Sequence, residues 1–551
     1  MPTIDLSQKE QKLRLLLLDV ARSIDASGHA PEPVVLRWAG GWVRDKLLGI
    51  ESHDIDVAIN AMTGVSFAQR MCDYCDTSEA ITNHQIDKTD IGNLHNVARN
   101  PDKSKHLETA MVRMFGLDLD FVNLRKETYT DQSRNPKVEF GTAEEDALRR
   151  DATINALFYN LNTNEIEDYT GGVLDIKAKI IRTPLEPLQT FTDDPLRVLR
   201  LVRFASRLEF AIDPNTELFM GDKKVLESLK VKISRERVGI ELEKMLKGRE
   251  GLSRRTSRHC LPKLPGHNPR LALNLIDRLD LYRAIFADPC KAAPNLPLLS
   301  RWSVAYKCLD ELTRNKTPKS IFDLLVRTED AAYVAWNQAA LCPWMGIDDQ
   351  PGLKRKSNAW PPVAAIAREG FKAPNKLVDI IAASYWHREE ITALKKAVND
   401  GEPHIRERDR VGMAIRRWDA QGGSWKLQVM NALLVEAMET LQAWEEPQVS
   451  NKSSPKEPLG IVLEEQQRFL QGWQNFLDHL IELDVFDAPS LKRLLDGRAL
   501  ARALGTNPGK WTGQALDICM EWQLRNPGNT DPAGAIEEVR KRRNEFGIQI
   551  S

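Results

Sequence analysis

Residues 36 to 59 read LRWAGGWVRDKLLGIESHDIDVAI, and no other stretch of the chain limits its fold as much. An apolar run leads into Gly40-Gly41, and a helix-like segment follows as far as Gly49. The chain then passes through Asp54-Ile55-Asp56, at the start of a strand-like run. Side chains alternate along a strand, so Asp54 and Asp56 share one face while Ile55, Val57 and Ile59 take the other, toward a core. Two carboxylates fixed side by side repel each other unless a cation lies between them. Mg2+ suits such a pair, with phosphate oxygens completing its shell. A glycine turn before a helix exposes backbone N–H groups, which favour phosphate. Either feature alone is weak, because a bare D-x-D is more often a solvated edge pair. Together they imply apparatus for nucleotidyl transfer, in which a hydroxyl attacks an α-phosphate, pyrophosphate leaves, and two metal ions assist the attacking and leaving oxygens.

A third carboxylate is expected from a neighbouring strand. GLDLDFVNLRKETY places Asp118 and Asp120 on one face with Phe121 opposite, and Asp120 is the favoured candidate. VVLRWAG, DIDVAIN, LDLDFVNLR and IEDYT read as strands, so residues 34 to about 185 form a mixed α/β or α+β part. From about Asp193 onward the apolar spacing is helical. The expected class is α+β: an N-terminal head of mixed sheet and helices, then an all-helical remainder. At 551 residues the chain is too long for one core. No apolar run reaches the length needed to cross a bilayer, so no membrane partner is expected. Ser7 and Glu10 form a capping box at the start of an amphipathic helix. Seven cysteines are too few and too scattered for a disulfide framework, and Cys72 and Cys75 read as two residues of a helix. The formal net charge of −1 leaves any nucleic-acid surface to a local patch. Residues 445 to 460 read as a flexible linker or insertion.

GGWVRD…DIDVAI resembles motif A of the class II tRNA nucleotidyltransferases, the CCA-adding enzymes of the polymerase-β-like superfamily. Four later blocks resemble that family's remaining motifs in order. RRDATINAL (149–157) is similar to motif B, DYTGGVLDIKAKIIRTP (168–184) to motif C, DDPLRVLRLVRF (193–204) to motif D and SRERVGIELEKML (234–246) to motif E. GTNPGKWTGQALDICMEWQLRNP is a weaker likeness to the family's tail. The resemblance implies a polymerase-β-like catalytic head over 1–184 and a helical neck with the nucleotide-selecting motif over 185–270. A helical body over 271–444 and a linker with a tRNA-binding tail over 445–551 follow.

The resemblance also implies roles. Asp54 and Asp56 hold two Mg2+ ions and Asp120 is the third catalytic carboxylate. Gly40, Gly41 and Arg44 lie at the triphosphate, and Arg150 lies near the phosphates. Asp151 holds the ribose 2′-OH with Asn155 beside it, Asp194 and Arg197 select the base, and Arg200 touches the nucleotide. The chemistry of the Asp194/Arg197 pair agrees with this. A carboxylate accepts from an exocyclic amine, and a guanidinium donates to a ring nitrogen or carbonyl. Cytosine and adenine both present an amino donor beside a ring-nitrogen acceptor; uracil and guanine present the reverse. A wrong base would leave buried groups unpaired. Asp193 stands where Glu is common, Gly171 and Gly172 suggest a hinge, and the polar stretch 87–110 reads as a mobile loop. In the family its counterpart is needed for the final A.

The expected reaction is therefore addition of C, C and A to the 3′ end of tRNA from CTP and ATP, with no nucleic-acid template. A poly(A) polymerase of the same superfamily, a CC-adding enzyme, and a non-catalytic RNA-binding or chaperone protein remain alternatives. The intact Asp54/Asp56 pair opposes the last. Expected partners are tRNA, CTP and ATP. The chain is expected to act as a monomer in the cytoplasm, the nucleus or both, and an alternative start could send a second form to mitochondria. Basic clusters at Lys354-Arg355-Lys356, Arg416-Arg417 and Arg540 to Arg543 read individually as surface, with the RNA expected on body and tail.

Overall fold

The structure is a computed structural model and describes residues 2–87, 89–92, 94–97, 109–130, 133–247, 267–288, 296–315, 317–347, 360–444 and 458–546. Contacts divide the chain into two units, one of residues 1–245 and 249–285, the other of 246–248 and 286–551.

The first unit opens with helix α1 (Gln8–Ala26), where the expected capping box is present. Strand β1 (Leu36–Ala39), helix α2 (Gly41–Leu47) and strand β2 (Asp54–Ile59) follow. Next come helices α3 (Gly64–Cys75) and α4 (Ser78–His84), then strands β3 (His95–Val97), β4 (Thr109–Met114) and β5 (Leu117–Asn123). A hairpin of β6 (Arg125–Thr130) and β7 (Ser133–Phe140) leads to helix α5 (Ala143–Leu148), then to strands β8 (Phe158–Asn160) and β9 (Glu165–Glu167). Seven strands form one sheet in the order β3-β4-β5-β2-β1-β8-β9. Within this sheet, among the described residues, only the β2–β5 pair is parallel. Buried Glu10 ties α1 to α2 by accepting from Trp42 Nε1 at 3.1 Å and Lys46 Nζ at 2.6 Å. Cys72 and Cys75 lie on α3, where burial raises both thiols, Cys75 to about 12, so neither is poised to react.

Helices α6 (Gly172–Ala178), α7 (Pro187–Asp193) and α8 (Leu196–Leu208) follow the sheet. Thr192 and Asp193 close α7, and the N-cap of α8 is Pro195. Asp194 still accepts from the Leu196 N–H at 3.2 Å, which supplies one of the donors a helix start leaves over. Thr153–Asn155 form a short 3-10 turn, and the Thr153 N–H donates to Arg182 O at 2.9 Å.

The second unit is helical among its described residues. At its centre Trp425–Thr440 buries Leu427, Gln428, Val429, Met430 and Asn431 in succession, so it is covered on all sides. Trp302–Arg314, Glu329–Leu341 and Asn375–Asp400 pack around it. Near the C-terminus Thr512–Arg525 and Ala533–Lys541 share a smaller core of Leu500, Ala515, Ile518 and Val539. Arg416 donates to the carbonyls of Ala488 and Leu491, and Arg417 pairs with Glu390, so these two basic residues hold the unit's own elements. Residues 98–108 of the polar loop, Lys354-Arg355-Lys356 and residues 445–457 of the linker lie outside the described residues. No described helix is long and apolar enough to cross a membrane.

Candidate active site

The ladder register builds the acidic wall. Asp56 lies opposite Ala39 of β1 on one side and Asp120 of β5 on the other, while Asp54 lies opposite Asp118. Ile55, Val57 and Phe121 are buried on the reverse face. Asp118 is exposed and 3.7 Å from Arg113, so Asp120 is the β5 carboxylate that joins the wall. Burial raises Asp120 to about 6, with Asp56 and Asp54 adding to the effect. Burial also raises Asp56, with Arg150 opposing and Asp54 adding, and burial and Asp118 raise Asp54. Carboxylates that push one another's pKa upward are short of positive charge, and an all-oxygen donor set fits a hard cation. Among the described residues no three His, Cys, Asp or Glu side chains converge to enclose an ion. Asp54, Asp56 and Asp120 lie along one wall, and Mg2+ is an ion that retains waters and takes phosphate oxygens beside protein carboxylates.

Gly40 faces this wall with φ 67° and ψ −120°, a conformation that glycine adopts without strain. A Cβ there would stand 2.8 Å from Arg150 Nη1 and 3.8 Å from Asp56 Oδ2. The Gly40 N–H donates to Leu157 O at 2.9 Å, so Gly40 provides room rather than a free donor. Gly41 begins α2, and a Cβ there would meet only Arg44, at 3.6 Å. Arg44 is held by Asp45 Oδ1 at 2.7 and 2.9 Å and by Asn155 Oδ1 at 2.5 Å. Arg150 donates twice to Asp146 Oδ2, at 2.8 and 3.0 Å, and once to Asn155 O at 3.0 Å, with its guanidinium 5.0 Å from the Phe158 ring centre.

Asp151 is buried. Its Oδ2 accepts from Arg200 Nε at 2.5 Å and its Oδ1 from Asn155 Nδ2 at 3.2 Å. Burial works against its charge, yet Arg200 and these hydrogen bonds bring its pKa down to about 2. The pair chosen for base selection is placed less simply. Arg197 is buried and donates from Nη2 to Arg149 O at 2.7 Å, while Asp194 Oδ2 is 3.5 Å from Arg237 Nη2. Arg237 belongs to helix Arg235–Leu246, inside the motif E likeness, and was not singled out from the sequence. Asp146 was also missed. An acid three and four residues before an Arg-Arg pair is the signal for it, although that spacing usually marks a surface ion pair. Gly172, expected to act with Gly171 as a hinge, is packed tightly: a Cβ would lie 2.3 Å from Thr153 O, and Thr153 donates to Asp175 at 2.7 Å.

Residues 36–182 match the family described as the Poly A polymerase head domain. Over its full length the chain is 62% identical to the nucleotidyltransferase lcsQ of Purpureocillium lilacinum, 94% of which is covered. It is 35% identical to the mitochondrial CCA tRNA nucleotidyltransferase of Saccharomyces cerevisiae, across 96% of this chain and 92% of that one. It is 33% identical to the tRNA nucleotidyltransferase cca2 of Schizosaccharomyces pombe, across 97% of each. Its fold is similar to that of a solved CCA-adding enzyme in its apo form II, with a TM-score of 0.59 over 98% of this chain and 100% of the other at 18% identity. A carboxylate wall beside a glycine turn, in a chain that matches such proteins from end to end, leads to one conclusion: the chain belongs to the CCA-adding tRNA nucleotidyltransferase family.

Proposed function

We propose that the protein adds C, C and A to the 3′ end of tRNA from CTP and ATP without a nucleic-acid template. The observation that carries this is the register that sets Asp56 beside Asp120 and opposite the Gly40 end of β1. It occurs in a chain similar over its length to enzymes named for CCA addition. A solved Thermotoga maritima CCA-adding enzyme of similar fold is bound to tRNA, which supports RNA as the acceptor here.

Asp54 and Asp56 would hold Mg2+, which when bound supplies charge that activates the 3′-hydroxyl and stabilises the departing pyrophosphate. Asp120, which the register sets beside Asp56 and whose pKa is raised, would take up the hydroxyl proton. Arg150 and Arg44, pinned from behind, present fixed positive charge to the phosphates. Both oxygens of Asp151 are engaged, but each keeps a further lone pair for a ribose 2′-OH. Asp194 and Arg197 read the amino and ring-nitrogen edge shared by cytosine and adenine. We assign the head to 1–184, the neck to 185–270, and the tRNA-holding body and tail to the rest, in a chain that works as a monomer. The mitochondrial yeast relative favours a mitochondrial form beside a cytoplasmic or nuclear one.

The test uses one tRNA transcript ending at the discriminator base and another ending in CC, each with enzyme, Mg2+ and labelled CTP, ATP or both. The expected product is C-C-A followed by a stop. Two C residues without A would make it a CC-adding enzyme. A long A ladder with no use of CTP would make it a poly(A) polymerase, and tRNA binding without extension would make it a binding protein.

A further inference from the structure

Asp146, only 1% exposed, has no part of its own in the reaction above. It lies on α5, and both its oxygens are fully engaged. Oδ2 takes the two Arg150 bonds already described, while Oδ1 accepts from Arg149 Nε at 2.9 Å, from Arg149 Nη2, and from the Arg125 N–H at 3.3 Å. The opposed guanidiniums, foremost that of Arg150, overcome the cost of burial and keep this carboxyl charged below its usual range.

Two lines of contact leave this carboxylate. One runs through Arg150, whose Nη1 donates to Asn155 O and stands where a Gly40 Cβ would collide, beside Asp56. The other runs through Arg149, which Glu127 holds from its far side at 3.2 Å. The main-chain oxygen of Arg149 is the anchor for Arg197, at 2.7 Å. One buried charge therefore sits behind both the phosphate side and the base side of the pocket.

We infer that Asp146 is a positioning residue for both halves of the nucleotide pocket, fixing Arg150 beside Asp56 and, through Arg149, the backbone oxygen on which Arg197 is aimed. The inference rests on the roles given above to Arg150 and Arg197. A carboxylate is required because each oxygen must accept from a different arginine. An amide of the same shape has one acceptor oxygen and would turn an NH2 toward the other guanidinium.

The experiment measures kcat and KM for CTP, the ratio of kcat/KM for CTP over UTP, and the melting temperature, in full-length Asp146→Asn, Asp146→Glu, Arg150→Gln, Arg197→Gln and the double variant D146N/R150Q. Asp146→Asn is expected to lower kcat/KM for CTP by about 10- to 100-fold, the usual effect of losing an outer partner. It is also expected to reduce the CTP-over-UTP ratio in parallel. D146N/R150Q should lose less kcat/KM for CTP than the two single losses combined, since the Arg150 arm is removed only once, while its CTP-over-UTP ratio stays as low as in Asp146→Asn. Additive losses, or a lower melting temperature with wild-type KM and wild-type discrimination, would overturn the inference. If Asp146→Asn fails to fold, Asp146→Glu decides: moving the carboxylate by one methylene should raise KM and lower discrimination together, and wild-type values for both would overturn it. If Arg150→Gln and Arg197→Gln themselves leave CTP use and discrimination unchanged, the reading of the pocket has failed, and the inference falls with it for that separate reason.

Discussion

Asp120 holds its proton to about pH 6 because burial and then Asp56 and Asp54 oppose its charge, whereas an unfolded chain releases that proton near pH ~4. The folded protein therefore keeps a proton that the unfolded chain loses between these values. The resulting stability is fully present below the unfolded pKa and is lost as pH rises through 6. Metal-free protein is expected to melt at a higher temperature at pH 5 than at pH 7.5, and Mg2+ should raise the melting temperature more at pH 7.5. Thermal denaturation with EDTA or Mg2+ measures this, and Asp120→Asn should flatten the metal-free difference. A Mg2+ effect equal at both pH values would place the ion elsewhere. Asp151 has the opposite sign: its pKa of about 2 gives stability that is present above the ordinary carboxylate value and lost as pH falls through 2. Replacing Asp54 by Asn removes a charge from the wall itself. The expected loss of transfer is several kcal/mol, at least about 10^3-fold in rate, with tRNA binding by filter assay unchanged. Activity near wild type would remove Asp54 from the reaction.

At the scale of elements, the strand pair that aligns the acidic wall was legible, because period-two patterning sets both the buried face and the acidic face of β2 and β5. The Gly40 turn was legible too, although its reason differs: the residue clears space for Arg150 instead of offering an N–H. Gly40→Ala should thus disturb the site beyond its backbone strain of about 1–3 kcal/mol. The expected result is a lower melting temperature together with a raised KM for CTP, and a fall in melting temperature alone would count against the proposed placement of Arg150. Gly172→Ala would drive a methyl into Thr153 O, and calorimetry should show destabilisation comparable to overpacking, about 1–3 kcal/mol. What escaped the sequence was tertiary. The spacing of Asp146 to Arg149 and Arg150 describes an exposed ion pair equally well, and only burial beneath the sheet makes it a hub. Arg237 reaches Asp194 across 43 residues, and no local pattern encodes that.

Across the whole molecule, the first unit contains every residue assigned to the chemistry, and the second is a helical assembly with its own core. A chain ending at residue 285 is expected to bind CTP with near-wild-type affinity and to lose most of its affinity for tRNA. Calorimetry for CTP and filter binding for tRNA would check both, and retained tRNA affinity would move the RNA-holding surface into the first unit. Division into a mixed head and a helical remainder was legible from the change in apolar period, whereas the central position of Trp425–Thr440 was not, since it buries polar Gln428 and Asn431 among its apolar residues. The chain's near-neutral total is repeated in miniature inside the pocket. Arg44 is matched by Asp45, Arg149 and Arg150 by Asp146, and Arg200 by Asp151. Cations already shared with carboxylates grip a free polyanion weakly. In the proposed pocket this pairing would favour departure of pyrophosphate over its retention, and so repeated addition to one RNA end.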